Sequence, residues 1–255
     1  MIKKATGFLF ILFLLSFVEG LCRLSFLDPV YFPPPSVIIS GFINMLGEKN
    51  LWSHIGHTIF RTTLGFGLAM LIAIPSGLLV GEFRSLRNLL EPTIEMLRPM
   101  PSAAIIPVAI LIFGIEDEMK IAVIIFGSIW ATIISSMDGI RNIDPLMRDT
   151  GKILQLTKLQ MLTKIILPAV LPTVFTGMRI SLAIALILTV TSEMIAGTNG
   201  LGYFILDTQR SFDFSKMFVG IIWVGIIGFV FSKFFIWTEK RILFWNYTLQ
   251  NGKQN

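Results

Sequence analysis

The sequence has little charge and almost no cysteine. Of its 255 residues, 15% are charged and 54% are apolar, whereas a soluble domain has about 25% charged residues. Cys22 is the single cysteine, which excludes a disulfide framework and a cysteine metal cluster. The two histidines, His54 and His57, lie three residues apart. A metal site usually needs three or four ligands, so we predict no metal site.

Catalytic constellations are missing as well. No serine–histidine constellation appears, and no predicted span presents paired acids and histidines. The phosphate-binding pattern Gly-x-x-x-x-Gly-Lys-Ser/Thr does not occur, since Gly151-Lys152 lacks both the upstream glycine and the following hydroxyl. We therefore predict no catalytic residue, no cofactor and no ATP hydrolysis by this chain.

What the sequence has instead is long apolar runs. A helix needs roughly 20 apolar residues to cross the hydrocarbon core, and continuous apolar runs fit helices better than alternating barrel strands. We predict an all-α, polytopic membrane protein with about six transmembrane helices, on the runs Ala5–Val18, Thr62–Gly81, Pro99–Ile115, Ile121–Met137, Ile165–Ser192 and Met217–Thr238.

The first run also resembles a secretory signal peptide, because Lys3-Lys4 precedes it. No small-x-small cleavage site follows, and the residue before Cys22 is Leu21 rather than a small residue. We therefore interpret the run as an uncleaved first span in a multi-pass protein of one domain, residues 1–255.

The net charge of +5 reflects topology rather than nucleic-acid binding, because the basic residues lie between apolar runs. Cytoplasmic connections carry an excess of Lys and Arg. With Lys3 and Lys4 inside, the inside connections and tail hold most of these residues, namely Arg84, Arg87, Arg98, Arg141, Arg148, Lys152, Lys158, Lys164, Lys240, Arg241 and Lys253. This pattern predicts that both termini are cytoplasmic.

Prolines and glycines mark irregular places along the chain. Three prolines, 33–35, precede a short amphipathic helix predicted over Val37–Leu46. The glycines and Pro75 of the second span indicate close helix packing and a kink. A surface helix over Leu89–Pro101 leads into a third span whose prolines make its start irregular. Irregular backbone at membrane depth must face protein or water, so this span is expected to face a partner or a pathway.

The connection over 138–172 carries the most information. Asp144-Pro145 is a helix start, with an aspartate cap and proline at the first helical position. Arg148, Lys152 and Gln155 then form a polar stripe beside apolar residues. These residues alone leave two interpretations open, a charged loop that only fixes topology or a docking helix for a soluble partner.

This connection resembles the "EAA" loop of inner-membrane permease subunits in binding-protein-dependent ABC importers. In that family an acidic residue and two alanines begin a coupling helix, a glycine follows six residues after the acid, and Leu-Pro ends the motif. Aligned on Leu167-Pro168, Asp149 takes the acidic place, and Thr150 and Gly151 take the alanine places. Gln155 stands where the family has glycine, which puts the bend after the coupling helix in question.

Further motifs extend the resemblance over most of the chain and point to its nitrate, sulfonate and taurine branch. They are Thr58-x-x-Arg61, Arg98-Pro99-x-Pro101 with Ile106-Pro107 before Phe113-Gly114, Glu193-x-x-x-Gly197-x-x-Gly200-Leu201-Gly202-Tyr203, and Glu239-x-Arg241 with Trp245. Their order and spacing are specific together, although each motif alone is weak.

The resemblance implies a type I importer permease in the bacterial inner membrane. Two permease copies, expected to be identical, would enclose a path for small solutes, with an ATP-binding subunit pair below and an extracytoplasmic substrate-binding protein above. Nitrate-like, sulfonate-like or taurine-like anions are the expected cargo, and a thiamine precursor or another small metabolite is the alternative. An integral membrane enzyme or a scaffold is disfavoured, because neither needs a docking helix followed by Leu-Pro.

Polar residues near the end of the fifth span are candidates for the pathway or its outer gate. They are Thr189, Ser192 and Glu193, with Gly197, Gly200 and Gly202 in the following turn. For Glu193 we expect hydrogen bonds to the turn rather than direct substrate contact, and for the glycines unusual backbone angles. Arg179 is expected to extend to the cytoplasmic headgroups and Arg61 to the outer interface.

Overall fold

A computed structural model describes residues 2–24, 26 and 28–244, and Trp245 and Lys253 lie outside this range. The described residues form helices joined by short connections, with no strand among them. The helices are α1 Ile2–Arg23, α2 Pro35–Met45, α3 Lys49–Glu82, α4 Arg84–Leu97, α5 Ile106–Phe113, α6 Asp117–Arg141, α7 Pro145–Ile153, α8 Lys158–Met161, α9 Leu167–Ala196, α10 Leu201–Arg210 and α11 Phe214–Ile242. The all-α prediction is confirmed.

The predicted spans map onto these helices with one exception. Within the described residues, four helical segments are long and apolar enough to cross a bilayer, and they contain the second, fourth, fifth and sixth runs: Lys49–Glu82, Asp117–Arg141, Lys158–Ala196 and Phe214–Ile242. The first run lies in α1, a helix of 22 residues. The third run differs, because it does not form one continuous helix.

The third run is broken where its prolines lie. Helix α4 ends at Leu97, and the chain bends by 89° before the segment Ser102–Phe113, which is a short 3₁₀ turn followed by α5. Pro99 and Pro101 lie in the break, where proline cannot continue a helical hydrogen-bond pattern. With 8 residues, α5 is about 12 Å long and too short to cross the hydrocarbon core alone.

The chain forms two compact units. The first contains 1–59 and 193–226, and the second contains 60–192 and 227–255. In the first unit, α2 begins at Pro35 at its first turn, two residues before the predicted start. The Glu19 carboxylate accepts hydrogen bonds from the backbone N–H and the hydroxyl of Ser36, at 3.0 and 2.8 Å, and so holds α2 against the end of α1.

In the second unit, α3 and α6 approach closely through small residues. A Cβ added at Gly77 would lie 2.6 Å from Ser136 Cβ and 2.7 Å from the carbonyl oxygen of Ile133. Gly65 and Gly81 likewise face α6, whereas Gly67 faces open space. The predicted packing role therefore holds at three of these glycines, since only a residue without a side chain lets the two backbones come this near.

Hydroxyl groups also connect the helices of this unit. Thr132 on α6 and Ser181 on α9 share a hydrogen bond of 2.8 Å, and Ser181 also contacts the carbonyl oxygen of Ser128 at 2.5 Å. All three residues are buried. Such bonds contribute modestly in membranes, about 0.6 kcal/mol each on average, but they fix the mutual register of α6 and α9.

Candidate functional site

The predicted coupling helix is α7, and its start is the one expected from the sequence. The Asp144 side chain accepts a hydrogen bond of 2.9 Å from the backbone N–H of Leu146, and Pro145 occupies the first helical position. This cap satisfies a backbone donor that the helix leaves unpaired.

Helix α7 ends in a Schellman turn with Gln155 at its left-handed position. The N–H of Gln155 bonds to the carbonyl oxygen of Lys152 at 2.9 Å, and the N–H of Leu156 bonds to that of Gly151 at 3.1 Å. Gln155 has a φ of 52°, a conformation that usually selects glycine. The bend that the missing glycine put in question is therefore present, with Gln155 in a left-handed backbone.

The other motif residues have different environments. Asp149 is exposed and pairs with Lys152 at 2.8 Å, and the Thr150 hydroxyl donates to the carbonyl oxygen of Leu146 at 2.7 Å. Gly151 is buried, and a Cβ there would lie 2.6 Å from Met161 Cε. Of the two alanine places, then, only the one at Gly151 is buried, and an added Cβ there would have to displace the flexible ends of Met161 and Ile165.

Charged and apolar side chains share the outer surface of this segment. Arg148 makes a two-pronged ion pair with Glu82 at the end of α3, with distances of 3.1 and 2.9 Å. Three apolar residues are strongly exposed: Leu146 at 71%, Ile153 at 80% and Leu154 at 65%. An exposed apolar patch with a charged surround is typical of an interaction surface.

Leu167-Pro168 begins the long helix α9 instead of closing a separate loop. A π-helical turn over Leu162–Ile166 precedes it, and α9 continues through Pro172. The π turn ends two residues before Pro168, and such a local adjustment accommodates a proline that cannot donate a backbone hydrogen bond. Helix α9, together with α8 and the π turn, forms one continuous helical segment over Lys158–Ala196, and residues 154–157 join α7 to it.

The second candidate region centres on Glu193, which is fully buried in the first unit. Its carboxylate accepts a hydrogen bond from the Thr58 hydroxyl, at 2.9 to 3.0 Å, and another from the backbone N–H of Gly202 at 2.9 Å. Thr58 in turn accepts from the N–H of Leu201 at 2.8 Å. The expected bonding of Glu193 to the glycine turn is thus present, and Thr58 completes it.

His54 fixes the same turn from one helical turn earlier on α3. Its Nδ1 accepts a hydrogen bond of 3.0 Å from the backbone N–H of Gly200. No sequence signal singled out this role, since a histidine side chain bonded to a backbone group leaves no spacing pattern. We name residues 197–202 with His54, Thr58 and Glu193 the Glu193 cluster.

The expectation of unusual backbone angles is right for Gly200 and wrong for Gly197 and Gly202. Among the described glycines, only Gly114 and Gly200 have positive φ, at 75° and 100°. A Cβ at Gly200 would also overlap the Glu193 carboxylate, and one at Gly197 would overlap the carbonyl oxygen of Glu193. Gly197 is therefore required by close approach, whereas Gly202 simply lies in the first turn of α10.

Thr189 and Ser192 are buried, and both use their hydroxyls inside the second unit. Thr189 accepts from the Thr62 hydroxyl at 2.9 Å and donates to the carbonyl oxygen of Ala185 at 2.8 Å. Ser192 donates to the carbonyl oxygen of Thr189 at 2.9 Å. These bonds give both residues a packing role and leave their pathway role a prediction.

Two arginines in the spans have acidic partners that the sequence did not indicate. Arg61 is 1% exposed, and its guanidinium contacts Asp117 at 2.6 and 2.8 Å. Arg179 pairs with Glu239 on α11 rather than extending alone to headgroups. Each of these two positive charges is therefore paired with a carboxylate of the same chain. In the described ranges, no three His, Cys, Asp or Glu residues come together as metal ligands.

The helical fold, the α7 segment and the Glu193 cluster together fit an importer permease, and comparisons with known proteins agree. The chain belongs to the family described as binding-protein-dependent transport system inner membrane component, which matches residues 65–243. It is therefore an inner-membrane permease subunit of an ATP-driven importer, a transport component rather than an enzyme, and it works with an ATP-binding subunit and a substrate-binding protein.

Three curated relatives illustrate the similarity. The putative aliphatic sulfonates transport permease protein SsuC of Bacillus subtilis is 32% identical, with 84% of this chain and 77% of the relative covered. The nitrate import permease protein NrtB of Synechocystis is 29% identical, with 82% and 76% covered. The taurine transport system permease protein TauC of Escherichia coli is 28% identical, with 89% and 84% covered.

A solved structure supports the fold. The inward-facing MetNI methionine ABC transporter has a chain that matches with a TM-score of 0.65 at 16% identity, covering 77% of this chain and 95% of that one. The similarity extends to type I importer architecture, as the resemblance implied.

Gly200 offers a test of the Glu193 cluster. Gly200→Ala would place a Cβ in a left-handed backbone and against the Glu193 carboxylate. We therefore expect the free energy of unfolding to fall by about 1–3 kcal/mol more than the backbone strain alone would cause. Gly114→Ala is the matched control, because its φ is also positive but nothing lies within 4 Å of the added atom. Thermal unfolding of the purified protein in detergent measures both, and equal shifts in the midpoint would contradict the cluster.

Gln155 offers a test of the Schellman turn. A left-handed conformation costs a residue other than glycine about 1 kcal/mol, so Gln155→Gly should raise the thermal midpoint. Lys152→Gly is the control, because Lys152 lies inside α7, where glycine lowers stability by roughly 1 kcal/mol. If both variants lower the midpoint, Gln155 is not held in the left-handed conformation.

Proposed function

We propose that this permease imports small anions of the nitrate and sulfonate class. The observation that carries the proposal is the agreement of the relatives' names over most of the chain: aliphatic sulfonates, nitrate and taurine each present an anionic group with several equivalent oxygens. The motifs Thr58-x-x-Arg61 and Arg98-Pro99-x-Pro101 add support from the sequence.

The coupling role is assigned to Asp149, Thr150, Gly151, Gln155, Leu167 and Pro168. Support comes from the exposed apolar side chains of α7, which have no cover in the described chain and fit a cleft on the ATP-binding subunit. The Schellman turn and the close packing of Gly151 against Met161 make the segment stiff. A stiff segment joined to α9 through residues 154–157 and α8 would transmit movement of the ATP-binding subunit into the membrane.

The gate role is assigned to the Glu193 cluster, with Thr189 and Ser192 on the preceding turn of α9. A buried carboxylate that loses a partner destabilises its surroundings by several kcal/mol. The turn 197–202 would therefore remain closed until all of its bonds to His54, Thr58 and Glu193 are exchanged together. Such a two-state element suits an outer gate.

Assembly and topology complete the proposal. Two copies of the chain would enclose the path, and both termini would be cytoplasmic, as the distribution of Lys and Arg favours. The whole of 1–255 would act as one permease domain. In favour, α3, α9 and α11 each run from one compact unit into the other, and the family match spans both units.

Docking by α7 can be tested with Ile153→Asp. Ile153 is 80% exposed, so the change should leave folding intact while placing a charge in an apolar contact. We expect co-purification of the ATP-binding subunit from detergent to fall at least about tenfold, as for an interface hot spot. Thr163→Asp adds the same charge to an exposed residue of the π turn and should retain the subunit. Full retention by Ile153→Asp would contradict the docking role.

Cargo class can be tested in proteoliposomes that contain the permease, its ATP-binding subunits and its binding protein. We expect ATP-dependent uptake of nitrate, ethanesulfonate or taurine, because each carries the anionic group shared by the relatives' substrates. A vesicle without ATP is the control. If none of the three accumulates and a cationic thiamine precursor does, the proposed cargo class is wrong.

A further inference from the structure

A cavity of about 360 Å³ lies in the second unit, where the third span is broken. Arg98, the residue that follows α4, and Ser102, the first residue of the 3₁₀ turn, line it from the break. Trp130 and Ser135 line it from α6, and Ile180 and Ile184 from α9. The volume is at the lower end of the range for small-molecule sites, so a cargo of a few heavy atoms would fit.

The cavity lies beside the middle of two helices that are long and apolar enough to cross a membrane. Trp130 and Ser135 are near the middle of α6, and Ile180 and Ile184 are near the middle of α9. Interrupted backbone at membrane depth is tolerated where it lies within protein or beside a water-filled cavity. Broken helices also supply the substrate sites of other transporters near the bilayer midplane. The break between α4 and α5 therefore has a reason to be next to this cavity.

The polar groups of the cavity are mainly hydrogen-bond donors. A guanidinium and an indole N–H can only donate, and the hydroxyls of Ser102 and Ser135 can donate as well. Of the described residues that line the cavity, none carries a carboxylate. The other span arginines, Arg61 and Arg179, each face an acidic side chain. A cavity lined by a guanidinium group and hydrogen-bond donors, with no carboxylate, favours the binding of an anion.

Trp130 adds an independent observation. Its indole Nε1 is buried from solvent and has no hydrogen-bond partner in the described chain. A buried donor without an acceptor is unfavourable, and native structures usually supply a partner through a neighbour, water or a ligand. Trp130 also lines the cavity, and an anion there that reached Nε1 would supply the acceptor.

We infer that this cavity binds a small oxyanion during transport, with Arg98 as the charged ligand and Ser102, Ser135 and Trp130 as further donors. The inference rests on the proposed import of anions and names the site at which the anion is held. Arg pairs with planar or tetrahedral oxyanions through two parallel bonds. Because the lining has no carboxylate for an ammonium group, the site favours ethanesulfonate over the zwitterion taurine.

The decisive experiment compares Arg98→Gln with Arg84→Gln in the reconstituted importer. Both changes remove one positive charge from the α4 region, and Arg84 lies at the opposite end of the helix, about 20 Å away. We expect ATP-dependent anion uptake to fall at least about tenfold in Arg98→Gln and to change less than twofold in Arg84→Gln. ATP hydrolysis stimulated by the loaded binding protein should continue in both variants, because the coupling segment is intact.

The outcomes separate this inference from the proposed function. If Arg98→Gln takes up anions at the normal rate, the inferred binding site is wrong, whereas the proposal of anion import is unaffected. Absence of anion uptake by the unaltered importer overturns the import proposal itself. If Arg98→Gln does not assemble, Ser135→Ala and Trp130→Phe take its place, with the same expected loss of uptake and the same overturning result.

Direct binding distinguishes a transported anion from a lipid headgroup. The assembled importer, without its binding protein, is placed in nanodiscs of phosphatidylcholine and titrated with ethanesulfonate while tryptophan fluorescence is recorded. We expect a saturable change that is lost in Trp130→Phe and is weaker with taurine. A change that appears only when the lipid is made anionic, and not with ethanesulfonate, would identify the cavity as a lipid site and overturn the inference.

Discussion

A charge inside a membrane protein needs a partner from the chain itself, and this requirement governs how the helices of this permease are held. Arg61 on α3 is buried against Asp117 at the start of α6, and Arg179 on α9 pairs with Glu239 on α11. Each pair joins helices that are distant in sequence. Removing one partner weakens the compensation of a buried charge, which is costly, so these pairs restrict which helix packings are accessible. Apolar contacts alone would leave such helices free to slide, since lipid is as apolar as the side chains.

The Glu193 cluster applies the same requirement to a turn. The Thr58 hydroxyl and the backbone N–H of Gly202 donate to the Glu193 carboxylate, and the backbone N–H of Leu201 donates to the Thr58 hydroxyl. The positive φ of Gly200 brings these donors to one side, and the absence of a Cβ there makes room for the carboxylate. A turn held in this way is rigid while its bonds are intact. It can nevertheless be released as a unit, because its three backbone N–H groups bond to three neighbouring side chains, those of His54, Thr58 and Glu193.

The sequence predicted the features that depend on local chemistry. Apolar runs located the spans, Asp144-Pro145 located the start of α7, and the glycine turn after Glu193 was expected to bond to it. It did not predict features that depend on tertiary contact. The pairing of Asp117 and Glu239 with arginines was not predicted, because a pair formed across 56 or 60 positions leaves no spacing signal. The irregular start of the third span was visible in its prolines, but the angle of 89° between its two helical parts was not.

Gln155 shows how a family motif can be met by geometry rather than by identity. The glycine of the motif supplies a left-handed residue after the coupling helix, and Gln155 adopts that conformation at φ 52° because the bonds of Gln155 to Lys152 and of Leu156 to Gly151 hold it there. The two backbone hydrogen bonds of the turn, each worth about 0.5–1.5 kcal/mol, offset the strain of about 1 kcal/mol, and Gly151 packs against Met161 beside them. The position of the bend is therefore set by the surrounding hydrogen bonds and contacts, and Gln155 adopts the left-handed conformation that the bend requires. A motif search that demands glycine would miss this turn, whereas the hydrogen-bond pattern at the end of α7 identifies it directly.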